Sequence, residues 1–152
     1  MKKIIIALVL AIPMVSHAMD YCRVMVPDAK GVRVDADGKI SNDGFGAAVY
    51  VGERGQVSRY EINPVDGSIM EAAKNAYHYN DDAGHSITLN WDGFTVETVQ
   101  FIPDSHRYLF AQQYMPDAIA KSHNFKSSAI VQSGSWHDCN AKTINAIYSF
   151  KE

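Results

Sequence analysis

Long apolar runs, basic clusters and catalytic signatures are all missing from most of this 152-residue sequence. Past residue 18, no stretch approaches the roughly 20 apolar residues that a membrane-spanning helix needs, so no membrane span is expected. Removing Lys2 and Lys3 from the 14 basic residues leaves 12 against 17 acidic ones, a formal charge of −5. That balance, with no Lys/Arg run anywhere, argues against nucleic acid or an anionic membrane surface as the main partner. With five prolines and no repeat or low-complexity segment, nothing divides the chain. Cysteine is scarce too. Cys22 and Cys139 stand alone, without the C-x-x-C spacing of a redox pair or a zinc ribbon.

Each common catalytic setting is absent in turn. There is no G-x-S-x-G elbow, and the nearest serine-glycine cluster, Ser133-Gly134-Ser135, lacks its flanks. Neither H-E-x-x-H nor a Gly-rich phosphate cradle occurs. His78 and His85 bracket Asp81 and Asp82, but a flexible seven-residue spacing does not force ligands to converge on a metal. Asp35-Ala36-Asp37-Gly38 has some of the spacing of a calcium loop. With Gly38 at the sixth position, however, Arg33 occupies the first and Gly44 the twelfth, where carboxylates are needed, so an acidic hairpin turn is the better reading. In His137-Asp138 the side chains of adjacent residues diverge, which does not suit an acid-base dyad. No catalytic residue, metal or cofactor is therefore assigned from the sequence.

What is present begins at the start of the chain. Lys2-Lys3, the apolar run Ile4 to Ile12 and the small-x-small motif Ser16-His17-Ala18 have the form of a signal peptide cleaved after Ala18. The expected product, residues 19–152, is one soluble domain in the periplasm or outside the cell. In that oxidising setting Cys22 and Cys139 are expected to be bonded. Closing so long a loop stabilises a fold by about 4 to 5 kcal/mol on the chain-entropy model.

The clearest local pattern is Ser86 to Phe101. Asp92-Gly93 suits a two-residue type I′ turn, which pairs Trp91 with Phe94, Leu89 with Val96 and Ile87 with Thr98 on a buried face and leaves Glu97 on the wet one. Val99 and Phe101 then reverse the parity, which predicts a bulge or a sheet end. Alternation predicts strands over 21–26, 32–41 (broken by the turn at 35–38), 45–51, 129–132 and 144–150, with 57–62 as an edge strand or a partly exposed one. Ser68 and Glu71 read as a capping box, followed by Ile69, Ala72, Ala73, Ala76 and Tyr77 at helical spacing, so a helix is expected over 68–80. A second helical segment is expected over 105–124, interrupted at Pro116.

These elements predict an α+β domain, mainly an antiparallel sheet or a small OB-like barrel, the latter on element order alone. Eight tyrosines are generous for this length. Tyr50, Tyr60 and Tyr79 fall on predicted outward or edge positions and, with Trp136, are the candidate binding residues. The functional expectation is a non-enzymatic exported binding protein with a protein partner, an inhibitor or immunity protein that occludes an envelope-targeted enzyme or toxin. The alternatives are a secreted glycan-binding subunit and a small hydrolase with an unrecognised site.

Overall fold

A computed structural model describes residues 19–29, 31–42, 44, 46–63, 65–73, 77–80, 85–90, 95–114 and 128–151. The signal peptide, the Asp92-Gly93 turn, Asp81, Asp82 and Pro116 lie outside the described residues. Among the described residues, the expected α+β character holds as an antiparallel sheet with one α-helix. The strands are β1 (Tyr21–Pro27), β2 (Val32–Asp35), β3 (Ile40–Asn42), β4 (Ala48–Glu53), β5 (Gln56–Ile62), β6 (Ile69–Ala73), β7 (Tyr77–Asn80), β8 (Ser86–Asn90), β9 (Thr95–Ile102), β10 (Arg107–Tyr114) and β11 (Ser128–Asp138). The helix, α1, spans Ala141–Lys151.

The sheet is open, with the order β6-β5-β4-β1-β11-β10-β9-β8-β7, and the β2–β3 hairpin pairs onto β11 beyond the end of β1. From β4 to β6 and from β7 to β11, hydrogen-bonded neighbours are consecutive in sequence, while β11 returns to β1. The sheet is strongly curled. Tyr50 on β4 touches Glu97 on β9 with three strands between them in the order, a separation of about 19 Å in a flat sheet. Its concave face buries Met25, Tyr50, Val57, Ile87, Leu89, Val99, Phe101, Tyr108, Phe110, Ile130 and Trp136.

Among the described residues, α1 covers one half of the convex outer face. There Val24, Val49, Val51 and Tyr60 pack beneath Ile147 of α1. The bond between Cys22 and Cys139, expected from the sequence, joins the start of β1 to the segment leading into α1, with a Cα–Cα distance of 5.4 Å. Asn140 accepts hydrogen bonds from the Thr143 amide at 2.9 Å and the Thr143 hydroxyl at 3.2 Å, the arrangement of an N-cap.

Several expected elements are corrected. The helix over 68–80 is instead β6 and β7, separated by residues 74–76. Ser68 is not a helix cap: its amide and hydroxyl both donate to Asp66 Oδ1, at 2.8 and 2.7 Å, inside the loop joining β5 to β6. The backbones of β5 and β8 supply hydrogen-bond partners on either side, and that outweighs the weak helical preference of the alanines. With this helix gone, the OB-type element order loses its central feature.

The second helical segment is β10 as far as Tyr114, because Tyr108 and Phe110 alternate inward while Leu109 and Ala111 face out; residues 115–124 lie outside the described residues. The closing strand over 144–150 is α1, in which Ile147 is the buried position. β5 is no edge strand, since it lies between β4 and β6.

The β8–β9 hairpin is shifted by one residue from its expected register. Ile87 pairs with Val99 and Leu89 with Glu97, so the interior gains Val99 and Phe101 without a bulge and takes in Glu97 with them.

Candidate functional site

The curled sheet encloses a polar cluster that sequence reasoning missed. Glu97 is fully buried on the concave face. Its Oε1 accepts the Tyr50 hydroxyl proton at 2.6 Å and lies 3.6 Å from Arg59 Nε, while Oε2 accepts from Gln112 Nε2 at 3.3 Å. Arg59 Nη2 also donates to Glu61 Oε1 at 2.9 Å. Burial, reinforced by the Glu97 charge, pushes the Tyr50 phenol well above its ordinary value. Burial works against the Arg59 guanidinium too, but the charges of Glu97 and Glu61 more than offset it and leave its pKa raised. Tyr50 is therefore held neutral as a donor, and Arg59 stays charged between two carboxylates. The cluster is suited to locking the curl.

The other end of the concave face is plugged by a second cation. The Arg23 guanidinium carbon lies 5.2, 5.3 and 5.0 Å from the ring centroids of Tyr21, Phe101 and Trp136. Phe101 meets both Tyr50 and Trp136 edge-on, and Trp136 Nε1 donates to the Ile102 carbonyl at 3.3 Å. The parity that carries Val99 and Phe101 inward carries Glu97 with them, and this was the signal by which the buried acid was legible.

The proposed binding aromatics do not form an outward surface. Tyr50 is 0 % exposed in the concave core, Tyr60 is 0 % exposed beneath α1, and Trp136 is buried at 7 %. Their alternation is real, but both faces of β4 and β5 are covered, so an outward-facing position is not an exposed one. Tyr79 lies on β7, and its side chain is not described. His137 and Asp138 are consecutive on β11, exposed, with His137 Nδ1 against the Asp138 carbonyl at 2.8 Å. His78 is on β7, and half-buried His85 precedes β8, where its carbonyl accepts from the Phe101 amide at 2.7 Å. The Asp35–Gly38 segment is the hairpin turn expected: Gly38 takes φ +77° and its amide donates to the Asp35 carbonyl at 2.8 Å.

What the outer face exposes is aliphatic. Ile40, Val131, Leu109, Val32 and Val34 are 69, 59, 52, 45 and 41 % exposed. The register makes them neighbours. Val34 pairs with Ile40, Val131 pairs with Val32 on one side and Ala111 on the other, and Leu109 lies two residues from Ala111. A groove of about 290 Å³ runs beside them, lined by Asp28, Gly31, Val32, Leu109, Val131 and Ser133 among others. At its rim Arg107 and Asp28 form an ion pair, and that hydrogen bond holds the Asp28 carboxyl below its usual value. Among the described strands, β3 pairs only with β2, so its other edge is open. No helix among the described residues is long and apolar enough to cross a membrane. No family model, no curated protein and no solved structure matches the chain.

Proposed function

We propose that this chain is an exported, non-enzymatic binding protein that occludes a protein partner with the uncovered half of its outer face, as an inhibitor or immunity protein does for an envelope-targeted enzyme or toxin. The observation that carries the reading is the contiguous aliphatic set Ile40, Val34, Val32, Val131 and Leu109 beside the open edge of β3. Backbone donors and acceptors in a row next to apolar side chains are complemented by another polypeptide strand, which offers the same alternation. A glycan is served less well, since the patch has no aromatic ring on which a sugar can stack. Cys22–Cys139 fits an oxidising compartment, in keeping with export.

The same reading takes the sheet as a barrel in function. β6 and β7 are separated by three residues, so the chain itself holds Ala73 and Tyr77 within about 14 Å of each other. That proximity would bring the two ends of the sheet together around the Tyr50–Glu97 cluster. Among the described residues, the outer face is then the broad surface left for a partner.

The test compares the wild-type chain with a Leu109→Lys/Val131→Lys variant. Immobilised wild type is expected to retain a specific protein from the envelope fraction, inhibit its activity when the two are purified, and lose both properties in the variant. A partner that binds both forms equally, or a glycan array that binds the wild type while no protein does, overturns the assignment.

A further inference from the structure

We infer that α1 is a redox-held cover: its place on the outer face depends on the Cys22–Cys139 bond, and reduction of that bond releases the helix and bares a second apolar face made by Val24, Val49, Val51 and Tyr60. The argument starts from how little else holds the helix. Ile147 is the one fully buried side chain of α1, whereas Tyr148 and Phe150 are 39 and 42 % exposed. Thr143, Ile144 and Ala146 are half-buried, and the polar and ring contacts of α1 among the described residues include a Lys151–Glu53 ion pair at 2.7 Å, a hydrogen bond from Lys142 Nζ to the Asp66 carbonyl at 3.3 Å, and an edge contact between Phe150 and Tyr60. Both side chains of the ion pair keep about a quarter of their surface in water, so screening reduces what it contributes. An isolated helix shorter than about 12 residues is marginal in water, and α1 has 11.

Docking also carries a cost. The Tyr60 hydroxyl is buried beneath the helix and makes no hydrogen bond, so the covered state forgoes the water that this group binds when the helix is away. Against these terms stands the covalent tether two residues before Ala141, backed by the Cys139 amide donating to the Cys22 carbonyl at 2.9 Å. Both cysteines are only half-buried, within reach of a reductant.

The chemistry balances with one partner, a thiol-disulfide oxidoreductase presenting two thiols. Its thiolate attacks one sulfur of the bond, forms a mixed disulfide and expels the other sulfur as a thiolate, which takes up a proton. The second thiol of the reductant, as its thiolate, then attacks the reductant's own sulfur in that mixed disulfide and expels the chain's remaining cysteine as a thiolate, which takes up a proton. Two electrons pass to the chain, which holds two thiols, while the reductant leaves as a disulfide. Helix release bares Val24, Val49, Val51 and Tyr60 next to the exposed Val26, extending the apolar surface across β1.

The test is hydrogen exchange read by mass spectrometry on the purified chain, oxidised, reduced with dithiothreitol, and as the Cys22→Ser/Cys139→Ser variant, in buffer with an excluded osmolyte to hold the global fold. Reduction and the double substitution are each expected to lower protection of the 141–151 amides by at least about tenfold, with β9 and β10 changing less than about twofold. Hydrophobic-dye fluorescence rises in step, and reoxidation of the wild type restores the covered form. Unchanged protection in α1 overturns the inference, because the helix then stands on its non-covalent contacts. Equal loss in α1, β9 and β10 overturns it as well, because the bond then supports the whole fold and no separate cover exists.

Discussion

Tyr50 on β4 donates its hydroxyl proton to Glu97 on β9 at 2.6 Å, across the interior of a sheet in which β1, β11 and β10 lie between those two strands. This bond joins two distant parts of the sheet and makes Glu97 a residue of the fold's closure, despite a sequence position that reads as solvent-facing.

Removing either partner should therefore cost stability. Tyr50→Phe leaves a buried carboxylate short of a donor and is expected to lower unfolding free energy by about 1–3 kcal/mol. Glu97→Ala strips the charge facing Arg59 and should cost about 3–5 kcal/mol, with Glu97→Gln between the two because its carbonyl still accepts from Tyr50. Urea unfolding of the single and double variants measures the coupling. Strict additivity of Tyr50→Phe and Glu97→Ala would show that the two residues do not act together.

Alkaline pH should weaken the fold through the same phenol. Burial raises the Tyr50 pKa well above its usual value and pushes Tyr108 up to about 12. Both folded-state values exceed the unfolded value near about 10, so the folded chain keeps protons that the unfolded chain releases. Their contribution is fully present below about pH 10 and is lost as pH rises through the folded values. The denaturant midpoint should be level between about pH 8 and 9.5 and fall beyond about pH 10, with a shallower fall in Tyr50→Phe. A midpoint that stays level to about pH 11 contradicts this.

Gly134 is expected to tolerate no side chain. A Cβ at this position of β11 would overlap the Val26 carbonyl oxygen and stand 2.5 Å from the Tyr108 ring and 2.8 Å from the Pro27 Cα. Backbone atoms of a central strand cannot yield, so Gly134→Ala should cost at least about 1–3 kcal/mol. Gly46, where a Cβ meets nothing within 4 Å, is the control. Thermal unfolding of the two alanine variants should separate them by several degrees.

The aliphatic patch should be dispensable for stability. Leu109 and Val131 are more than half exposed, so Leu109→Lys and Val131→Lys are expected to change unfolding free energy by less than about 1 kcal/mol each. A larger loss would mean that the patch is covered from within the molecule, and binding effects of these variants would then need another explanation.

Local patterns were legible wherever one face of a strand is wet. Val32–Asp35 and Ile40–Asn42 with their Asp-Gly turn came through as a hairpin, and Tyr108, Leu109, Phe110 and Ala111 carry an alternation that the structure reads as β10. The failures share a cause. At β6 the alanines satisfy a helical spacing and a strand equally, and the choice lies with the open edge of β5. In α1, Ile144, Ala146, Tyr148 and Phe150 fit a two-residue alternation while Ile144 and Ile147 fit a helix face, and the Asn140 cap decides for the helix. Tyr50 and Tyr60 were misplaced because alternation tells which residues share a face but not whether another layer covers it.

The amino-acid order alone determined the bond between Cys22 and Cys139, the absence of the familiar catalytic motifs, and an antiparallel sheet as the frame, since each follows from residue type and short spacing. Only the tertiary structure decided that Glu97 is inside, that Tyr50 and Tyr60 are covered, and that the exposed surface is the aliphatic face of β2, β3, β10 and β11. The reason is geometric. Curling a sheet brings together strands that are remote in sequence and gives each face its own environment, and no local pattern of residues encodes which face the helix will cover.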